Sequence, residues 1–175
     1  MTLAYNIRGT AVALVFGLTL LITASAAAQS SYTPVTKYDP KRDAARDIDD
    51  AVGEAKRTNR RILLEVGGEW CSWCHILDEF FDKHPDLTSL RDKNFVTVKI
   101  NFSEENPNKE VLSRYGPING YPHIFVLASD GTLVRSQDTS VFEEGKGYVL
   151  ERLTTFLTYW ASAPKESGPN AQKQN

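Results

Sequence analysis

The sequence predicts an α/β fold with a mixed central sheet, parallel strands plus an antiparallel hairpin, and helices on both faces. Three observations carry that expectation. Residues 61–67 (RILLEVG) form a short apolar run bounded by basic residues and glycine, as suits a strand buried on both faces. Residues 95–102 (FVTVKINF) alternate apolar with polar and are rich in β-branched types, the pattern of a second strand. Asp130-Gly131, between the apolar runs 124–128 and 133–135, is a hairpin signal. Helical periodicity between the first two runs supplies the crossover that parallel strands require.

Each helix has its own reason. Asp39-Pro40 offers a cap followed by proline at a first helical position, and Ala44, Ile48, Ala51, Val52 and Ala55 recur at helical spacing, which predicts a helix over residues 40–58. Its charged residues read as a solvated face. After the first strand, Trp73, Leu77, Phe80 and Phe81 share one side of a helix that starts at Ser72 and stops near His84-Pro85. A short helical piece over residues 87–93 leads into the second strand. Asn106-Pro107 opens another helix, with Val111, Leu112 and Tyr115 facing inward and Gly116 as its stop. The last helix, residues 146–161, is expected to bury Val149, Leu150, Leu153, Phe156, Leu157 and Trp160. No internal repeat or linker divides the chain.

The ends differ in character from the middle. A single charge, Arg8, precedes the apolar run 11–22, and small residues ending in Ala26-Ala27-Ala28 follow, the layout of a secretory signal peptide over residues 1–28. Cleavage after Ala26 fits the same rule as cleavage after Ala28. The run falls short of the about 20 residues that span a bilayer, and an uncleaved anchor over residues 11–22 is the alternative. A lead-in segment, 29–39, a folded domain, 40–163, and a polar, flexible tail, 164–175, complete the expected organisation. The chain has 175 residues, with 20 basic against 22 acidic side chains and a net charge of -2. The basic residues form no stripe, so nucleic acid is not an expected partner.

Two cysteines, Cys71 and Cys74, are too few for a disulfide-stapled scaffold, and the Ser72-Trp73 spacing invites a chemical reading. They lie where the first strand hands over to a helix. Cys71 therefore stands at the helix N-terminus, where unpaired amides and the positive end of the dipole stabilise a thiolate. Cys74, one turn on, faces the same side and is close enough to close a small disulfide ring. Such a pair attacks a substrate disulfide through Cys71 and releases product when Cys74 resolves the mixed disulfide. Two other readings stay open. A purely structural disulfide would close a tiny loop and remove little unfolded-state entropy. A metal-binding or metal-delivery protein would use Cys71, Cys74 and His75, with His84 or His123 completing four ligands, although zinc sites usually pair Cys-x-x-Cys with a second compact ligand pair and this chain has none.

The run 62–74, ILLEVGGEWCSWC, resembles thioredoxins: a buried strand with an acid in it, then Glu-Trp-Cys-x-x-Cys at the head of a helix. Residues 115–125, YGPINGYPHIF, are similar to the thioredoxin-family turn whose cis-proline faces the cysteines. The Trp-Cys-x-Trp-Cys-His form is similar to a branch of small exported bacterial thioredoxin-fold proteins. The resemblance covers roughly residues 40–161. It implies that Cys71 is the nucleophile, Cys74 the resolving thiol and Trp70 an aromatic wall beside them. It also implies that Pro122 is cis, that the Tyr121 backbone binds an extended substrate segment, and that Glu65 takes the place of the buried family aspartate that moves the resolving cysteine's proton. A carboxylate in a dry strand has a raised pKa, as a proton acceptor near neutral pH requires. The function implied is an exported, periplasmic thiol-disulfide oxidoreductase, a reductase before an oxidase or isomerase, working as a monomer without a dissolved cofactor. Its implied partners are client proteins with cysteines or disulfides and a membrane electron donor. Ser72-Trp73 replaces thioredoxin's Gly-Pro, His75 stands where lysine is common, and His123 replaces threonine, so the redox potential does not carry over.

Overall fold

The computed structural model of the chain describes residues 32–162; the expected signal peptide and the tail from residue 164 lie outside the described residues. Helix α1 (Ala44–Thr58) precedes β1 (Arg61–Gly67), and α2 (Ser72–Lys83) with α3 (Pro85–Asn94) forms the crossover to β2 (Phe95–Asn101). A single turn, α4 (Lys109–Leu112), leads to β3 (His123–Leu127) and β4 (Leu133–Asp138). A 3-10 turn (Thr139–Phe142), the small hairpin β5 (Glu143–Glu144) and β6 (Gly147–Tyr148), and α5 (Leu150–Ser162) close the domain.

The main sheet runs β2-β1-β3-β4. Only β1 and β2 are parallel, from Arg61 opposite Phe95 to Gly67 opposite Asn101. Strands β3 and β4 join antiparallel, so the sheet is mixed as the element order predicts. All seven residues of β1 are buried. Strand alternation divides them: Ile62, Leu64 and Val66 pack with Ala44, Ile48, Ala51 and Ala55 of α1. Leu63 instead joins Leu77 and Phe81 of α2, Leu87 of α3, and Leu153, Phe156 and Leu157 of α5 on the opposite face. Helices thus cover both faces, and β1 and β3 contribute to both cores.

Several boundaries differ from expectation for local reasons. Helix α1 begins at Ala44 rather than Pro40, because Asp43 supplies the cap, its carboxylate accepting from the Ala45 and Arg46 amides. Asp39 instead accepts from the Lys41 amide in a preceding turn. The helix expected from Asn106-Pro107 is cut to one turn: Asn108 adopts a left-handed φ of 46°, and the Asn106 side chain donates to the Pro40 carbonyl, 2.9 Å away. Tyr115 is buried but lies beyond that turn. The last helix starts at Leu150, not Lys146, because residues 143–148 reverse through Gly145 (φ 61°) into the β5–β6 hairpin. Leu150 consequently points outward, 43% exposed, instead of joining the core.

The lead-in segment is integrated into the sheet. Val35 makes a parallel bridge to Val98 on the free side of β2, and the Lys99 amide donates to the Val35 carbonyl at 3.0 Å. That docking brings Tyr38 into the interior, 2% exposed.

Candidate active site

The site forms at the C-terminal end of β1. Parallel strands with a crossover leave that end open beside the N-terminus of α2, and the antiparallel pairing of Val66 with His123 brings Pro122 to the same edge. Cys71 is the cap residue of α2, with extended backbone. It is joined to Cys74 by a disulfide, their Cα atoms 5.2 Å apart. The Cys71 sulfur accepts a hydrogen bond from the Cys74 amide at 3.1 Å, one of the unpaired amides that a helix end presents. Cys74 is fully buried and Cys71 nearly so, at 4% exposure. Solvent and substrate therefore reach the pair at Cys71.

Glycine is required beneath the pair. A Cβ on Gly67 would collide with the Cys74 Sγ and stand 3.2 Å from the Tyr38 hydroxyl. One on Gly68 would strike the Trp70 indole and approach the Phe102 carbonyl at 2.9 Å. With both positions bare, the indole Nε1 donates to that carbonyl at 2.7 Å while the Trp70 ring stays 57% exposed. Trp70 meets Tyr121 edge-on at 5.3 Å, and Tyr121 stacks on Phe102 at 4.9 Å. These three rings form an aromatic wall, and Trp70 and Phe102 line a cleft of about 880 Å³ together with Tyr38, Asn101 and Pro107. The Tyr121–Pro122 peptide bond is cis, and the Pro122 carbonyl accepts from the Thr139 hydroxyl at 2.7 Å.

Glu65 lies deeper, on the β1 face turned toward α2. Its carboxylate accepts from the Tyr38 hydroxyl at 2.5 Å and stands 3.6 Å from the Lys99 ammonium. Lys99 is opposite Glu65 in the β1–β2 register, so the pair is set by strand alignment. Lys99 also pairs with Asp78 of α2, and its ammonium lies 4.6 Å from the centre of the Tyr38 ring. Burial pushes the Glu65 carboxyl above the usual carboxylate range against the opposing pull of Lys99 and the Tyr38 hydrogen bond.

The structure thus brings Cys71, Cys74, Trp70, Tyr121 and Pro122 to one edge and sets Glu65 beneath them. The sequence reading missed four neighbours: Tyr38, Lys99, Asp78 and Phe102. Lys99 falls in an alternating strand, where a polar residue reads as solvent-facing, Phe102 sits at that strand's end, and Tyr38 lies in a segment with no periodicity. Only the charged Glu65 inside an apolar strand signalled that partners had to exist.

The histidines are engaged elsewhere. His75 Nε2 lies 2.8 Å from the Glu69 carbonyl, His84 Nδ1 2.7 Å from the Phe80 carbonyl and His123 Nε2 2.8 Å from the Ser136 hydroxyl. Among the described residues no three His, Cys, Asp or Glu side chains converge as metal ligands. The metal site held open from the sequence therefore has no ligand set among them.

Comparison with known proteins places these features in a family. A family model described as thioredoxin-like matches residues 43–129. Human spermatogenesis-associated protein 20 is 31% identical over 80 residues, which cover 46% of this chain but 9% of that protein. The chain therefore spans about a tenth of the length of the curated relatives it matches. Among solved structures, a disulphide isomerase from Xylella fastidiosa is 28% identical, with a TM-score of 0.59 over 69% of this chain and 93% of that one. The oxidised C-terminal domain of Neisseria meningitidis DsbD, 19% identical, shares the fold with a TM-score of 0.52 over 66% of this chain and 94% of that one. Carrying a Cys71–Cys74 pair on a disulfide-oxidoreductase fold, the chain belongs to the thioredoxin-like family.

Proposed function

We propose that this protein is an exported thiol-disulfide oxidoreductase that works in the reducing direction on cysteines of other proteins. The observation that carries the reading is the Cys71–Cys74 disulfide at the head of α2, buried and packed with Tyr38, Trp73 and Tyr121. Cys71 attacks a client disulfide as a thiolate, and Cys74 then displaces the client from the mixed disulfide. Trp70 and Tyr121 present an apolar wall to the client segment, and the backbone at Tyr121 pairs with it as an added strand. Glu65 receives the proton of the resolving thiol.

The direction turns on the Cys71 thiolate, because a strong oxidant holds its reduced form in a low-energy thiolate and a reductant does not. The expected setting is the periplasm, reached through the signal peptide of residues 1–28. The expected partners are cysteine-bearing clients and a membrane electron donor, with the protein acting as a monomer without a dissolved cofactor.

The deciding experiment is the reduction potential of the Cys71–Cys74 couple, obtained by equilibrating the protein in graded thiol-disulfide buffers and counting alkylated thiols by mass. A value near about -270 mV fits the reductase reading, whereas one near about -120 mV would make the protein an oxidant. A pair that forms no disulfide at any poise overturns the redox reading altogether.

A further inference from the structure

Cys74 raises a problem that the Cys71 side of the site does not. Its sulfur is fully buried, yet a resolving thiol must lose its proton before it can attack the mixed disulfide, because the thiolate is the nucleophile. The buried carboxylate of β1, Glu65, is directed at the Tyr38 hydroxyl and Lys99. Tyr38 is packed with Cys71 and Cys74 in one cluster, and its hydroxyl and the Cys74 Sγ both border the point that a Cβ on Gly67 would fill. The hydroxyl thus lies on the same side of Gly67 as the sulfur, and it is hydrogen-bonded to the Glu65 carboxylate at 2.5 Å.

We infer that Tyr38, delivered by the segment preceding α1, relays the proton of Cys74 to Glu65 during resolution of the mixed disulfide. This rests on the oxidoreductase reading above and adds a residue and a route to it. In the reducing direction the Cys71 thiolate first attacks the client disulfide, forming the Cys71–client bond and expelling one client sulfur as a thiolate. The Cys74 thiol then passes its proton to the Tyr38 oxygen as the Tyr38 hydroxyl proton moves to Glu65. The Cys74 sulfur attacks the Cys71 sulfur, the Cys71–client bond breaks, and the second client sulfur leaves as a thiolate. Both client thiolates take protons from water; the client gains two electrons and the cysteine pair loses two. When the pair is reduced again the proton returns from Glu65 by the same path.

The surroundings suit a shuttle. The titratable and charged groups facing Tyr38 are Glu65 from β1, Lys99 from β2, Asp78 from α2 and Tyr148 from β6. Burial and the adjoining Glu65 push the Tyr38 phenol well above its usual range, so it carries a proton without remaining ionised. Burial raises the Glu65 carboxyl above the usual carboxylate range. The contacts of Val35 with β2 fix the segment that carries Tyr38.

Single-turnover kinetics of the reduced protein tests the relay, with a cysteine peptide carrying a thionitrobenzoate disulfide as probe. Release of thionitrobenzoate reports attack by Cys71, and acid quench with mass analysis reports resolution by Cys74. Tyr38→Phe keeps the ring beneath Lys99 and removes the relay. It is expected to leave the first step unchanged and to slow the second about 10²-fold near pH 7. The deficit should vanish at alkaline pH, where hydroxide takes the Cys74 proton directly. Glu65→Gln should show the same step-specific deficit, and the double variant should be no slower than the slower single variant. Wild-type resolution by Tyr38→Phe overturns the relay, as does slowing by one constant factor at every pH, which is the mark of disturbed packing. Failure of the wild-type protein to complete either step would instead overturn the oxidoreductase reading itself. Should Tyr38→Phe not fold, the wild-type rate of resolution in mixtures of light and heavy water decides. Two protons in flight give a bowed dependence on deuterium content, and a straight line overturns the proposal.

Discussion

His123, the residue after the cis-proline, shows how a single buried side chain makes stability depend on pH. It lies in β3 opposite Val66, 3% exposed, with its Nε2 on the Ser136 hydroxyl and its Nδ1 buried without a hydrogen-bond partner among the described residues. Protonation would bury a charge and leave an N–H unpaired, so burial lowers its pKa from 6.5 despite the opposing pull of Asp138. The unfolded chain then binds more protons than the native one below about pH 6.5, and linkage makes stability fall as pH drops through that range. Glu65 works with the opposite sign: its raised pKa means that the native state holds the extra proton, and stability falls as pH rises from the ordinary carboxylate range. Urea midpoints of His123→Thr relative to the wild type should therefore rise as pH falls from 7 to 5, because the variant loses only the His123 contribution. Parallel slopes for the variant and the wild type would remove His123 as the source.

At the scale of elements, α1 shows a local signal overruled by its surroundings. Asp39-Pro40 reads as the helix start in the sequence, yet the cap is Asp43. Only Asp43 has its carboxylate on the first free amides, those of Ala45 and Arg46 at 3.0 and 3.2 Å. The chain before it is committed to a turn tied to Asn106, whose side chain reaches the Pro40 and Arg42 carbonyls. Asp43→Ala should lower stability by about 1 kcal/mol, within the usual range for lost caps, and Asp43→Ser should recover most of it. Asp39→Ala should cost clearly less than Asp43→Ala in the same urea titration, and the reverse order would return the cap to Asp39. The Gly145 reversal teaches a related lesson. A periodic apolar pattern from Val149 onward was legible, but the hairpin ahead of it contains only two residues per strand, too few to show a period.

For the molecule as a whole, the sheet is a shared wall between two cores. Phe125 packs on the α1 side and Phe81 on the side of α2, α3 and α5, and strands β1 and β3 belong to both. Neither layer can lose its packing without exposing the strands that support the other, so unfolding should be a single transition. Phe125→Ala and Phe81→Ala should each lower stability by about 3–5 kcal/mol. Far-UV dichroism and tryptophan fluorescence should then give coincident urea curves in both variants. Separated curves would mean that the two faces unfold independently.

What the residues determined alone were the features written in short-range pattern. They are the strands, from period two and an unbroken apolar run, the main helices, from period 3.6, the Asp-Gly hairpin, and a cysteine pair at a strand-to-helix junction. Glu65 was legible as an anomaly because a carboxylate in an apolar strand must find compensation. Its partners were not legible. Lys99 becomes one only through the β1–β2 register, and its polar place in an alternating strand otherwise reads as exposed. Phe102 joins Trp70 and Tyr121 only once three separate segments converge at one sheet edge. Tyr38 enters the site because a segment without periodicity docks on the free side of β2. These placements depend on contacts between residues distant in the chain, and such contacts leave no mark in the local sequence on either side.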